Sequence, residues 1–360
     1  MRYLILAFDL NATALGHLTS AVQFGFITGT LIFAILTIAD RFNPSVVFLV
    51  CALLGSLFNM GTIVEYNTFG TLLSFRFFTG FFLAGIYPVG MKIAADYFEK
   101  GLGLSLGYLV GALVIGTAFP HLLQGLSFPV YWKDVLRITS GLAAMGGVLM
   151  FVFVPAGPFR KPSSKFNPRV FITVFKNPGF RAAAFGYFGH MWELYAFWAF
   201  VPVMLSTYNE FIPQANLNVP FLSFIIIGLG GPACLLGGYL SLVFGSKRTA
   251  FYALLLSGTC CLVSPAFLSI ESPGILVVFL IFWGLVVIAD SPLFSTLVAQ
   301  NTNSEARGTA LTITNSIGFA ITIISIQLLT ILIDLVHSDY LYLVLSIGPV
   351  AGLLALKLTK

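Results

Sequence analysis

Eleven apolar stretches, each about as long as a bilayer is thick, follow one another from residue 14 to residue 358. A helix rises about 1.5 Å per residue and needs about 20 residues to cross the hydrocarbon. In lipid each spanning segment must satisfy its own backbone hydrogen bonds, so such stretches fold as helices. They run over 14–39, 45–65, 68–95, 101–126, 132–155, 181–207, 219–243, 248–270, 273–298, 307–334 and 338–358. Hydrophobic residues make up 58% of the chain and charged residues 9%, where a soluble domain carries about 25% charged. The mean hydropathy is +0.97. The expected class is an all-α membrane protein with about 11 transmembrane helices and the lipid bilayer as its solvent.

The formal charge of +5 is distributed by side rather than clustered for a polyanion. If the loop holding Asp40 and Arg41 is cytoplasmic, 14 of the 18 Lys and Arg fall on that side. They are Arg41, Lys92, Lys100, Arg160, Lys161, Lys165, Arg169, Lys176, Arg181, Lys247, Arg248, Arg307, Lys357 and Lys360. Membrane insertion requires such an asymmetry, so no nucleic-acid partner is needed to explain it. The expected location is the cell (inner) membrane, multi-pass, with the C-terminus cytoplasmic. The four cysteines have no metal-ligand spacing, and no cofactor or metal is expected.

The stretch 156–180, "AGPFRKPSSKFNPRVFITVFKNPGF", breaks the apolar rhythm with prolines and five basic residues. It reads as a cytoplasmic linker between an N-terminal bundle, 1–155, and a C-terminal bundle, 181–360. The two halves share an internal repeat. "GTLIFAILTIADRFNPSVVF" (29–48) lies over "GPACLLGGYLSLVFGSKRTAF" (231–251), and "GFFLAGIYP" (80–88) over "GLVVIADSP" (284–292). Duplicated bundles of this kind place a solute site at the midplane.

Charges inside a span cost about 2.5–3.5 kcal/mol each on insertion scales, which makes them functional candidates. Glu193 lies near the middle of the sixth span, and His190 is three residues earlier on the same helical face. Trp192 and Tyr195 add aromatic surface there. Asp290 sits in "VVIADSPLFS", where Pro292 bends the helix and frees a backbone carbonyl. Arg76 lies in the third span as a permanent cation. Asn315 and Gln327 are polar residues of the penultimate span. Gly25 with Gly29, and Gly107 with Gly111, are spaced for close helix contact. "TNSE" (302–305) fits a capping box at a helix start near Thr302.

Three segments carry a family resemblance: "ADRFNP" (39–44), "RFFTGFFLAGIYP" (76–88) and "FGSKR" (244–248). The chain resembles the major facilitator superfamily of secondary transporters. The family signature G-x-x-x-D-R-x-G-R-[RK] is met by Asp40 and Arg41, with Leu36, Asn43 and Pro44 at its other positions. The family pattern R-x-x-x-G is met by Arg76 and Gly80. "GHMWELYAFWAFVP" and "ADSPLFSTLVAQ" resemble cyanate and nitrate/nitrite porters more loosely. The resemblance implies a two-bundle transporter fold with 12 spans in the family, usually monomeric. It also implies that Arg76 takes part in proton coupling, and that Asp40, Arg41 and Asp96 form a conformational gate at the cytoplasmic rim. Residues 14–39 then match the family's second helix. "MRYLILAF" is eight residues, about 12 Å as helix, too short for the first; a downstream start site or a truncated product is expected.

These readings converge on a secondary transporter, not an enzyme. It would move a small solute by alternating access with proton coupling. Arg76, His190, Glu193, Asp290, Trp192, Tyr195 and Asn315 are the candidates for binding and coupling. A small organic or inorganic anion is favoured over an amphipathic compound for export. A membrane enzyme using His190 and Glu193, or a non-transporting remnant, are the rivals.

Overall fold

The computed structural model describes residues 8, 10, 13–36, 38–98, 101–125, 131–155, 157–160, 173–303 and 307–358. The "MRYLILA" segment and the middle of the linker lie outside the described residues, which form helices and turns with no strand.

The helices are α1 (Thr13–Ile35), α2 (Ile38–Arg41), α3 (Pro44–Gly61), α4 (Phe69–Leu83), α5 (Tyr87–Tyr97), α6 (Leu102–Gly125) and α7 (Trp132–Phe153). After the linker come α8 (Pro178–Phe211), α9 (Val219–Gly228), α10 (Gly230–Phe244), α11 (Ser246–Leu268), α12 (Pro273–Ala289), α13 (Ser291–Gln300), α14 (Arg307–Leu332) and α15 (Ile347–Leu358). Every expected span has a helical counterpart. Eight helices, some of them joined across a break, are long and apolar enough to cross a membrane, and shorter apolar helices cover His17–Phe33 and Leu341–Lys357. α8, at 34 residues, accounts for the remaining span.

Several helices begin with a polar cap. Asn43 accepts from Ser45 N, Asn177 from Gly179 N and Asn218 from Phe221 N, each with a proline at the first or second helical position. The side chain satisfies an otherwise orphaned N–H, while proline there costs no hydrogen bond.

Three expected spans are broken rather than continuous. 68–95 divides into α4 and α5, 219–243 into α9 and α10 at Leu229, and 273–298 into α12 and α13. In the aligned repeat, α5 starts at Tyr87 and α13 at Ser291, each with its proline (Pro88, Pro292) at the next residue. The same break recurs at equivalent positions, with Ile86 before the first restart and Asp290 before the second. The last span opens as a 3-10 helix, Leu341–Ser346, before α15. The capping box expected at 302–305 includes Ser304 and Glu305, which lie outside the described residues. Thr302 Oγ1 donates to Val298 O at the end of α13.

The spaced glycines are points of close backbone approach. A Cβ on Gly107 would stand 2.9 Å from Cys234 O, and one on Gly111 2.9 Å from Gly231 O, so α6 lies directly on α10. Gly25 and Gly29 meet the carbonyls of Phe77 and Phe81 on α4.

The contacts group into two compact units. The first comprises Met1–Lys100, Pro129–Pro168 and Leu311–Ala320; the second comprises Gly101–Phe128, Arg169–Ala310 and Ile321–Lys360. α6, inside the first half of the sequence, packs on α9, α10 and α13 and belongs to the second unit.

Candidate functional site

The second unit holds two buried polar clusters on α8. Both exist because α8 places an imidazole and a carboxylate one turn apart among apolar neighbours.

The first pairs His190 with Asp290. Nδ1 of His190 lies 2.8 Å from Oδ1 of Asp290, with side chains 1% and 0% exposed. The contact is close but not aligned as a hydrogen bond, and both ring nitrogens and both carboxylate oxygens lack a hydrogen-bond partner among the described residues. Asp290 occupies the break between α12 and α13, and its carbonyl accepts from Leu293 N and Phe294 N. Pro292 has no N–H to offer the carbonyl of Ile288, four residues back. The Cys234 thiol from α10 donates to that carbonyl at 3.6 Å. The Asp290 N–H donates to the same carbonyl, so Ile288 O accepts from both the helix end and the cysteine. Ser295 Oγ and Trp198 Nε1 are also buried without a hydrogen-bond partner among the described residues.

The second cluster is built around Glu193, which is 0% exposed. Trp283 Nε1 on α12 donates to its Oε1 at 2.6 Å. Cys261 Sγ on α11 donates to Oε1 at 3.3 Å, and Ser257 Oγ, one turn earlier, to Oε2 at 2.9 Å. A buried charge is tolerated only when it is paired or hydrogen-bonded, and Glu193 has three donors. His190 and Glu193 thus share a helix but serve different neighbours.

The aromatic residues do not all join these clusters. Trp192 turns its Nε1 to Val344 O at 3.1 Å. Tyr195 packs edge-on against Trp198, with ring centroids 5.2 Å apart.

In the first unit, Arg76 on α4 donates from Nη1 to Asn59 Oδ1 at 3.3 Å, and Asn59 Nδ2 donates to Ser140 Oγ at 2.9 Å. Its Nε is buried without a partner among the described residues. Asn315 on α14 is 1% exposed, and its Nδ2 has no hydrogen-bond partner there. Gln327 has interactions of its own. At the linker end, Asp96 takes an ion pair from Lys92 at 3.0 Å, and its carbonyl accepts from Phe159 N at the start of the linker. Arg41 ends α2 and is exposed; the Asp40 side chain lies outside the described residues.

Sequence reasoning missed Asn59, Ser257, Cys261 and Trp283. One signal was available. Ser257 and Cys261 are four apart, which puts two donors on one face of α11.

A family model described as Major Facilitator Superfamily matches residues 1–326. The chain belongs to the major facilitator superfamily. It is accordingly a multi-pass membrane protein. The uncharacterized protein Cj0987c of Campylobacter jejuni is 25% identical over 219 residues, 60% of this chain and 66% of that one. The chain thus spans just under two thirds of that curated relative's length. A crystal structure of an E. coli fucose:proton symporter variant, FucP, is similar in fold, with a TM-score of 0.69 at 13% identity. The match covers 99% of this chain and 93% of that one. The superfamily fold expected from "ADRFNP" and its companion motifs is the fold observed.

Proposed function

We propose that this superfamily member couples proton movement to the transport of a small polar solute by alternating access. One observation carries the reading: His190 and Glu193 on the 34-residue α8, and Asp290 at the α12–α13 break, are buried at 1%, 0% and 0% exposure in an otherwise apolar bundle. Ionisable groups at such positions are costly and mark proton or solute paths.

A small organic or inorganic anion is the favoured solute. The buried Arg76 Nε is a charged donor with no hydrogen-bond partner among the described residues. Asn315, Trp192 and Tyr195 complete the candidate set for binding and coupling. Asp40, Arg41 and Asp96 act as the gate at the linker end. In this reading residues 1–155 and 181–360 are the duplicated halves, and the protein is a monomer in the inner membrane with linker and C-terminus cytoplasmic.

The test uses proteoliposomes that enclose a pH-sensitive dye, challenged with a panel of small mono- and dicarboxylates and, in parallel, neutral sugars. A solute-dependent change of lumenal pH, lost in Glu193→Gln, supports the reading. Solute movement with no proton movement rejects the coupling, and turnover of the solute without movement rejects transport.

A further inference from the structure

We propose that Glu193 carries the coupled proton on Oε2, and that Ser257 is the positioning residue that lets the carboxyl change charge without leaving its cradle. This deepens the proton-coupled reading and rests on it.

The two carboxylate oxygens have different neighbours. Oε1 accepts from the Trp283 indole and the Cys261 thiol. An indole N–H donates and never accepts, so a proton placed on Oε1 would face another proton. Oε2 faces the Ser257 hydroxyl at 2.9 Å, which can donate or accept. That hydroxyl has a second outlet, Leu254 O at 3.2 Å.

Two complete hydrogen-bond arrangements follow. With Glu193 ionised, the Ser257 proton points to Oε2. With a proton on Oε2, the carboxyl O–H donates to Ser257 Oγ, and the serine proton turns to Leu254 O. One proton is added, one hydroxyl rotates and no heavy atom moves. Glu193, Trp283 and Cys261 are 0% exposed and Ser257 is 1% exposed, so any state that left one of them unpaired would be costly. The other ionisable groups around the carboxyl are Cys260 and Cys261 on α11, Asp290 at the α12–α13 break and His190 on α8 itself. Because His190 and Asp290 retain uncommitted polar atoms, they suit the solute, and Glu193, fully committed within the protein, suits the proton.

The test needs no solute. Infrared difference spectra of the purified protein are recorded in steps of pH. The C=O band of a protonated carboxyl, assigned by its loss in Glu193→Gln, gives the midpoint of proton binding. Ser257→Ala is expected to move that midpoint by about one pH unit, a tenfold change in proton affinity, and Ser257→Thr to restore it. Should Ser257→Ala not fold, Ser257→Cys, similar in size and a poorer hydrogen-bond partner, must move the midpoint as well. A Glu193 band whose midpoint no Ser257 variant moves overturns the inference and leaves the proton-coupled reading standing. No Glu193 band at any pH overturns both.

Discussion

Trp283 Nε1 donates to Glu193 Oε1 across 2.6 Å between α12 and α8, with both side chains fully buried. Trp283→Phe keeps the ring and removes the donor. A hydrogen bond to a charged group contributes about 1.5–3 kcal/mol, so the variant is expected to melt earlier in detergent. In a Glu193→Gln background the loss shrinks, because a neutral amide needs the donor less. A double-mutant cycle with no coupling energy would contradict this.

His190 and Asp290 form a buried pair, with Nδ1 and Oδ1 2.8 Å apart. Asp290→Ala leaves the imidazole buried without its neighbour, and His190→Ala leaves the carboxylate so. Each is expected to destabilise by about 1–3 kcal/mol, because the remaining polar group stays buried and loses its 2.8 Å neighbour. The double variant should cost less than the sum. The check is thermal stability measured by fluorescence-detected size-exclusion chromatography.

The α6–α10 seam should be intolerant of side-chain volume. Gly107 and Gly111 each have room for hydrogen and little more. Overpacking costs about 1–3 kcal/mol, so the folded yield should fall in the order Gly, Ala, Leu at either position. Gly116, whose added Cβ meets no atom within 4 Å, is the control and should accept alanine.

Glu65 and Lys133 form an exposed pair at 2.9 Å, and the hydrogen bond and charge of Lys133 hold the Glu65 carboxyl below its ordinary range. A carboxyl depressed in the folded state contributes stability above its unfolded-state value and loses it as pH falls through its folded value. The stability difference between wild type and Glu65→Gln should therefore be small at neutral pH and vanish on acidification into the lower carboxylate range. A difference that grows there would contradict the assignment.

The fold was legible because lipid enforces one rule, helices long enough to cross, and eleven apolar stretches obey it. Charges in those stretches stood out for the same reason, which exposed Arg76, His190, Glu193 and Asp290. What periodicity could not reveal was pairing. Glu193 meets Ser257, Cys261 and Trp283 across separations of 64 to 90 residues, and serine, cysteine and tryptophan are unremarkable in a membrane helix. Trp192 looked equivalent to its aromatic neighbours, but its indole turns to Val344. The break at Asp290 was signalled by Pro292. The break at Leu229 falls between Gly228 and Gly230, in a stretch whose hydropathy does not register it.

The most direct measurement compares wild type with Glu193→Gln in dye-loaded proteoliposomes, after solutes that move protons through the wild type have been found. Buried-carboxylate coupling predicts that the substitution abolishes the solute-dependent pH change while solute exchange under equal pH on both sides persists. A pH change of wild-type size from Glu193→Gln would contradict it.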